Sequence, residues 1–254
     1  MQRIDNPQGN YRFLTGIAPF SSGVIAMPGY EIVHATLHQP IPYQQGFDLV
    51  AQHLVDMERP RQALCAMELR SPKSFTFAGF DEFNAGYQEI IAAWDLLVEG
   101  RNPVARTNIA PEAHPPEVPS LYAFSYTVPT NLNQPSTFVI AGAGDLRGTR
   151  HDPEDIVRRG ETSVNAIREK ATHVMDTMQA RLSGLQASWS QVTAVDIYTV
   201  FPLQPYLAGE ILSPMGPAAI HSVHWYYGRP PIIGLEFEMD MRGVRQEIRL
   251  GWGK

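Results

Sequence analysis

Two glutamates late in the sequence are candidates for acid-base chemistry. Glu236 and Glu238 occupy alternate positions of an apolar segment that reads as a strand, so their side chains share one face of a sheet. A partly buried glutamate has a raised pKa and can orient or activate water near neutral pH. The pattern fits the solvent-exposed face of an edge strand equally well, and the sequence leaves both interpretations open.

The histidines and the single cysteine are the other groups whose types suggest chemistry. His34 and His38 are four residues apart and would share a strand face, whereas His221 and His224 are three apart and would point to opposite faces. Neither pair has a third ligand at a recognisable spacing, so we expect no metal site. Cys65 lies inside an apolar segment and is predicted to be a small core residue rather than a nucleophile.

The glycine-rich stretch 142–148 is the segment most similar to a nucleotide-binding loop. Its spacing is not G-x-G-x-x-G, it has no lysine, and no helical pattern follows it directly. We therefore predict a turn at the end of a strand, and no nucleotide cofactor.

The composition limits the class of protein that must position these groups. The chain has 254 residues, 44% hydrophobic and 18% charged, which is typical of a globular protein with a real core. The net charge of −6 disfavours nucleic acid as a partner. No stretch approaches the roughly 20 apolar residues of a membrane span, and the first residues do not resemble a signal peptide. The sequence thus predicts a cytoplasmic protein without membrane association.

The predicted secondary structure repeats its order. The first half shows strand 31–37, helix 43–57, strand 63–69, a second helix with Asp81 as its N-cap and Gly100 as its stop, and strand 121–128. The second half shows strand 136–142, helix 163–183 and strand 191–201, then a proline-broken segment at 206–212 and closing strands 220–227 and 232–241. The chain therefore divides at 130–135 into predicted halves 1–130 and 131–254. Each would be an α+β unit whose uncovered sheet face needs a partner surface.

Both halves resemble the Rid/YjgF family of reactive-intermediate deaminases. The likeness lies in five short segments, at residues 80–87, 103–107, 138–142, 165–184 and 187–192. The resemblance implies two chorismate-mutase-like half-domains, each a mixed sheet with helices on one face, and assembly into a homotrimer. It also implies a deaminase that hydrolyses a carboxylate-bearing imine or enamine, of the 2-aminoacrylate or aminomuconate type, to a keto acid and ammonia.

The resemblance also assigns roles to particular residues. Arg106 corresponds to the family's arginine and would hold the substrate carboxylate by two parallel hydrogen bonds. Glu236 or Glu238 corresponds to its glutamate and would activate water. Since each half lacks one of these groups, the site would combine both halves. Further contacts would come from Asn84, Tyr87, Gly142 and His221.

Other interpretations stay open on the sequence alone. Arg106 could be a salt-bridge partner, and Arg70 either a second anion-binding residue or a charge at a strand end. Ala141 replaces the family's serine and removes a hydroxyl from the site. The alternative to an enzyme is a non-catalytic protein that binds a small carboxylate. A chorismatase-like hydrolase is a further possibility that no residue set selects.

Overall fold

The structure is a computed structural model that describes residues 1–132, 135–148 and 152–251. Its strands are β1 (Arg3–Asn6), β2 (Tyr11–Leu14), β3 (Gly23–Ala26), β4 (Tyr30–Pro42), β5 (Leu64–Arg70), β6 (Ala105–Pro111), β7 (Ser120–Pro129), β8 (Phe138–Gly144), β9 (Ala194–Tyr198), β10 (His224–Tyr226), β11 (Gly228–Arg229), β12 (Glu238–Gly243) and β13 (Gln246–Leu250). Its α-helices are α1 (Tyr43–Asp56), α2 (Phe77–Ala93), α3 (Val164–Leu185) and the single turn α4 (Ser213–Met215).

The three long helices follow the apolar periodicity of the sequence. Helix α1 has nearly the predicted bounds, and α3 begins close to its predicted start, where Ser163 is the N-cap and accepts a hydrogen bond from Ala166 N. Helix α2 begins earlier than predicted. Thr76 is its N-cap and accepts from Gly79 N at 3.0 Å, so Asp81 lies inside the helix and the predicted cap was wrong.

The closing strands of the second half differ from the prediction. A π-helix (Leu207–Leu212), α4 and a 3-10 turn (Gly216–His221) fill the segment before β10, and β12 begins only at Glu238. Prolines at 214, 217, 230 and 231 lack the N–H that a ladder requires, and they flank the two predicted strands without lying in either. The predicted strands 220–227 and 232–241 were therefore too long.

The strands form two sheets that exchange strands. The seven-stranded sheet has the order β1-β2-β3-β8-β12-β9-β10, and the six-stranded sheet has the order β11-β6-β5-β7-β4-β13. Strands β1 to β3 thus join a sheet built from later residues, while β11 and β13 join the sheet of β4 to β7. The expectation of two chorismate-mutase-like half-domains, each with its own mixed sheet and helices on one face, is wrong for this reason.

The division of the chain at residue 130 stays a prediction. Asn133 and Gln134 of the predicted linker lie outside the described residues.

The two sheets face each other, and the helices lie outside them. Helices α1 and α2 pack on the six-stranded sheet, and α3 packs on β8, β9 and β12. A shared apolar cluster fills the space between the sheets, with members from β1 to β6 and β8. Each sheet therefore covers part of the other's inner face, which we had expected a partner chain to cover. The homotrimer stays a prediction.

Strand β12 separates apolar and polar side chains by its alternation. Met239 and Met241 belong to the core beneath α3, whereas Glu238, Asp240 and Arg242 are buried on the opposite face. Their burial places titratable groups between the two sheets, where desolvation changes their pKa values.

Candidate functional site

Glu238 lies at the start of β12, directly against Gly142 of the neighbouring strand β8. Only 4% of Glu238 is exposed. A β-carbon at position 142 would overlap Glu238 Oε1 and would lie 3.0 Å from Thr107 Cγ2. The glycine thus leaves the space that the buried carboxyl group occupies.

The surroundings of Glu238 favour its protonated form. Burial raises the pKa of Glu238 to about 8, and the negative charge of Asp145 adds to the shift. The positive charges of Arg181 and Arg106 act in the opposite direction. Near neutral pH the group is therefore mostly a neutral acid that can donate a proton.

Arg181 of α3 is the cation that flanks Glu238, and sequence reasoning missed it. Its Nη1 donates hydrogen bonds to Ala141 O at 2.7 Å and Gly142 O at 3.2 Å. Burial lowers the pKa of Arg181 to about 10, and Glu238 opposes that shift. One sequence signal could have identified it: His173, Thr177 and Arg181 are spaced four residues apart on a predicted helix, which places these polar side chains on one face.

A cavity of about 340 Å³ opens beside Glu238 and Arg181. This volume lies within the range of small-molecule sites, which are mostly apolar with a few convergent polar groups. One wall is the polar face of α3, a second is formed by β8 with Glu238 of β12, and most of the rest is apolar. The lining used below comprises His173, Thr177, Arg181, Gly142, Glu238, Phe20, Phe80, Ile232 and Leu235.

Arg106 lies one layer behind this cavity and does not line it. Its Nη2 donates to Asn84 Oδ1 at 2.6 Å, and its guanidinium carbon lies 4.6 Å from the ring centroids of both Phe20 and Tyr87. Its Nη1 is buried and has no hydrogen-bond partner among the residues that the structure describes. The structure thus brings together Arg106, Asn84 and Tyr87 as expected, while the ring of Phe20 contacts both the guanidinium and the cavity.

The buried position of Arg106 has an electrostatic cost. Burial lowers the pKa of Arg106 to about 10, although Tyr87 and Glu238 oppose the shift. The interpretation of Arg106 as a salt-bridge partner does not fit a guanidinium whose near neighbours are an amide and aromatic rings. A buried cation with an unused donor fits an anion-binding group better.

Glu236 and His221 lie away from Glu238. Glu236 precedes β12 and is partly buried, and Arg229 Nη1 lies 3.4 Å from its Oε2. Burial raises the pKa of Glu236, and Arg229 opposes the shift. His221 ends a 3-10 turn, is exposed, and does not line the cavity.

A second polar cluster lies between the sheets, and sequence reasoning missed its three carboxylates. Carboxylate oxygens of Glu68, Asp196 and Asp240 lie within 4.8 Å of one another. Arg70 pairs with Glu68 at 3.2 Å, and Arg242 pairs with Asp196 at 2.6 Å. Asp240 accepts a hydrogen bond from Tyr198, and burial raises its pKa. The two arginines and the hydrogen bond from Tyr198 therefore already offset part of the charge of this cluster.

The remaining candidates from the sequence are structural. His34 is buried, with Nδ1 3.1 Å from Ser125 Oγ, whereas His38 is exposed beyond a register shift of β4. Their predicted common face stays a prediction. Cys65 is buried in the core as expected, and Arg70 stacks on Tyr122 at 3.9 Å.

Comparison with protein families identifies the family to which the chain belongs. A family model described as 2-aminomuconate deaminase CnbZ matches residues 3–248. The chain belongs to this 2-aminomuconate deaminase family. It is 40% identical over 245 residues to the 2-amino-5-chloromuconate deaminase of Comamonas testosteroni, a match that covers 95% of this chain and 96% of that one. Deamination is the class of activity by which this family and this relative are described.

The resemblance to the Rid/YjgF family is thereby corrected. That resemblance lies in five separate segments, whereas the 2-aminomuconate deaminase match spans nearly the whole chain. No described helix is both long enough and apolar enough to cross a membrane. The cytoplasmic location stays a prediction.

Solved structures define the fold of this family member. A crystal structure of chorismatase has a TM-score of 0.54 at 10% identity, covering 88% of this chain and 77% of that one. A cyanuric acid hydrolase has a TM-score of 0.43 at 10% identity, covering 87% and 69%. The chorismatase likeness shows a common fold alone, and this finding also replaces the expected Rid/YjgF half-domains.

Proposed function

We propose that the chain releases ammonia hydrolytically from an aminomuconate-type enamine, with Glu238 as the proton donor and acceptor. The observation that carries this proposal is a buried glutamic acid beside Arg181 on the wall of a cavity of about 340 Å³. Membership of the 2-aminomuconate deaminase family supports the substrate class.

The cavity has groups that match each part of such a substrate. An aminomuconate is a conjugated dicarboxylate whose amino group is on the carbon next to one carboxylate. Arg181 would hold that carboxylate and so place the adjacent carbon near Glu238. Phe20 and Leu235 would pack against the conjugated chain. His173, eight residues earlier on α3 and therefore roughly 12 Å along the helix, lies on the side that the distal carboxylate would reach.

The chemistry needs one group that both gives and takes a proton. Protonated Glu238 donates its proton to a carbon of the enamine, which moves the double bond and gives an iminium. The Glu238 carboxylate then removes a proton from water while the water oxygen bonds to the iminium carbon. The hydroxyl proton passes to nitrogen, the C–N bond breaks, and a carbonyl and ammonia result. Glu238 is protonated again at the end of the cycle.

Substitution of the two glutamates separates this proposal from its alternatives. Glu238→Gln keeps the shape of the side chain and should lower kcat by roughly 100- to 10,000-fold, because it can neither donate nor accept the proton. Glu236→Gln is the matched control, since it changes a partly buried glutamate two residues away that faces Arg229. Ammonia release and the loss of diene absorbance would be measured with 2-aminomuconate.

The proposed role of Glu238 and the alternatives to it predict different results. Wild-type activity in Glu238→Gln would overturn the role of Glu238. Thermal stabilisation by muconate without ammonia release would support the binding-protein alternative instead. Imines of monocarboxylates, generated in place by an amino-acid oxidase, should be hydrolysed more slowly because they lack the distal carboxylate.

A further inference from the structure

A buried ion pair connects two elements of the site, and the mechanism above uses neither of its members. Lys170 of α3 is fully buried, and its Nζ donates to Asp145 Oδ2 and to Val157 O, each at 2.6 Å. Asp145 directly follows β8 and is also fully buried. Burying two charges has a large desolvation cost, so such a pair is often no more stabilising than apolar residues of the same size.

Asp145 holds the backbone that leads into Glu238. Its Oδ1 accepts hydrogen bonds from Glu236 N at 2.9 Å and Phe237 N at 3.1 Å. Its own N–H donates to Phe237 O at 3.1 Å. These three bonds fix the peptide units immediately before Glu238, and therefore the point from which its carboxyl group extends.

Lys170 connects the same aspartate to the helix that carries Arg181. The two residues are eleven positions apart on α3, which is about three turns, so they lie on the same side of the helix. The ion pair thus joins the helix of Arg181 to the strand of Glu238.

We propose that Asp145 and Lys170 are positioning residues that hold the Glu238 carboxyl group at a fixed place relative to the Arg181 guanidinium. The inference rests on the proposed role of Glu238 and extends it. A displacement of about 1 Å at a reacting group can lower the rate roughly 100-fold, so the pair would act on kcat rather than on stability alone.

The test is the double variant Asp145→Asn with Lys170→Met. Asparagine keeps the acceptor for both backbone N–H groups, and methionine keeps much of the lysine volume. We expect kcat to fall roughly tenfold to 100-fold with a much smaller change in KM. The basic limb of the pH profile should also move to lower pH, because Asp145 no longer raises the pKa of Glu238.

The matched control removes another buried ion pair that involves β12. Asp196→Asn with Arg242→Met removes a pair 2.6 Å apart, and Arg242 lies four residues beyond Glu238 on the same strand. This control should lower Tm without moving the basic limb. If Asp145 and Lys170 are positioning residues, the basic limb moves in Asp145→Asn, Lys170→Met and stays in place in Asp196→Asn, Arg242→Met.

The proposal is overturned if the folded Asp145→Asn, Lys170→Met variant keeps the wild-type kcat and pH profile. Should that variant fail to fold, Asp145→Asn alone retains the acceptor and must show the same shift. A 13C NMR titration of the Glu238 carboxyl, assigned with Glu238→Gln, needs no turnover. If the wild type proves inactive, the proposed function fails. Independently of activity, a Glu238 titration that is the same in Asp145→Asn as in the wild type would overturn this inference.

Discussion

Glu238 Oε1 occupies the space in which a β-carbon of residue 142 would stand. Gly142→Ala should therefore displace the carboxyl group, because Thr107 restricts the alternative positions of the added methyl group. We expect kcat to fall roughly 100-fold while the protein stays folded. Steady-state kinetics with 2-aminomuconate would measure the loss.

The control for this substitution is Gly209→Ala. A β-carbon at position 209 would have no atom within 4 Å, so activity should stay at the wild-type level. Equal activity of the two alanine variants would contradict the placement of Glu238 in the site.

The pH dependence of the reaction should follow the proton of Glu238. With a pKa of about 8, the protonated acid predominates below that pH and is lost as the pH rises through it. The value of kcat/KM should therefore fall above about pH 8. Arg181→Met should move this limb to higher pH, since the positive charge of Arg181 lowers the pKa of Glu238. If the basic limb of Arg181→Met moves to lower pH or does not move, Arg181 does not lower the pKa of Glu238.

The stability of the protein should also depend on pH through the proton of Glu238. The pKa of Glu238 is about 8 in the folded chain and roughly 4.3 in an unfolded one. The folded state thus gains stability from the protonated group below about pH 4 and loses this gain as the pH rises through 8. Glu238→Gln should raise Tm relative to the wild type at pH 9 and change it least at pH 4. A difference in Tm that does not depend on pH would argue against the buried, protonated group.

Arg106 remains a predicted contributor to anion binding, through its charge rather than by direct contact, because it lies behind the cavity wall. Arg106→Met should raise KM for 2-aminomuconate, because it removes a buried positive charge close to the cavity that would hold the dianionic substrate. Arg70→Met is the control, because Arg70 is also buried but pairs with Glu68. It should lower Tm and leave KM unchanged. An unchanged KM in Arg106→Met would instead indicate a structural role for that residue.

Local patterns in the sequence predicted the helices well, and some of the site. The apolar stripes of α1 and α3 are signals within a few residues of one another. Arg106 of β6 and Asn84 of α2 were both named from the family resemblance, and a hydrogen bond of 2.6 Å joins them. The bounds of β12 were missed because long-range pairing, and not local propensity, begins that strand at Glu238.

The rest of the site depends on contacts between distant residues. Lys170 reaches Asp145 across 25 positions, and Arg181 reaches Ala141 across 40. Neither contact has a local motif, and a buried lysine in an apolar stripe resembles a solvent-exposed one in the sequence. Only the folded chain identifies these residues as part of the site.

The exchange of strands between the sheets has a consequence for synthesis on the ribosome. Gly23 of β3 pairs with Ile140 of β8, and Val33 of β4 pairs with Gln246 of β13. A chain synthesised from its N-terminus must therefore hold one edge of β3 and the outer edge of β4 unpaired until much later residues emerge. Unpaired edges can recruit other strands, so nascent chains of this protein should depend on chaperones until β13 has left the exit tunnel.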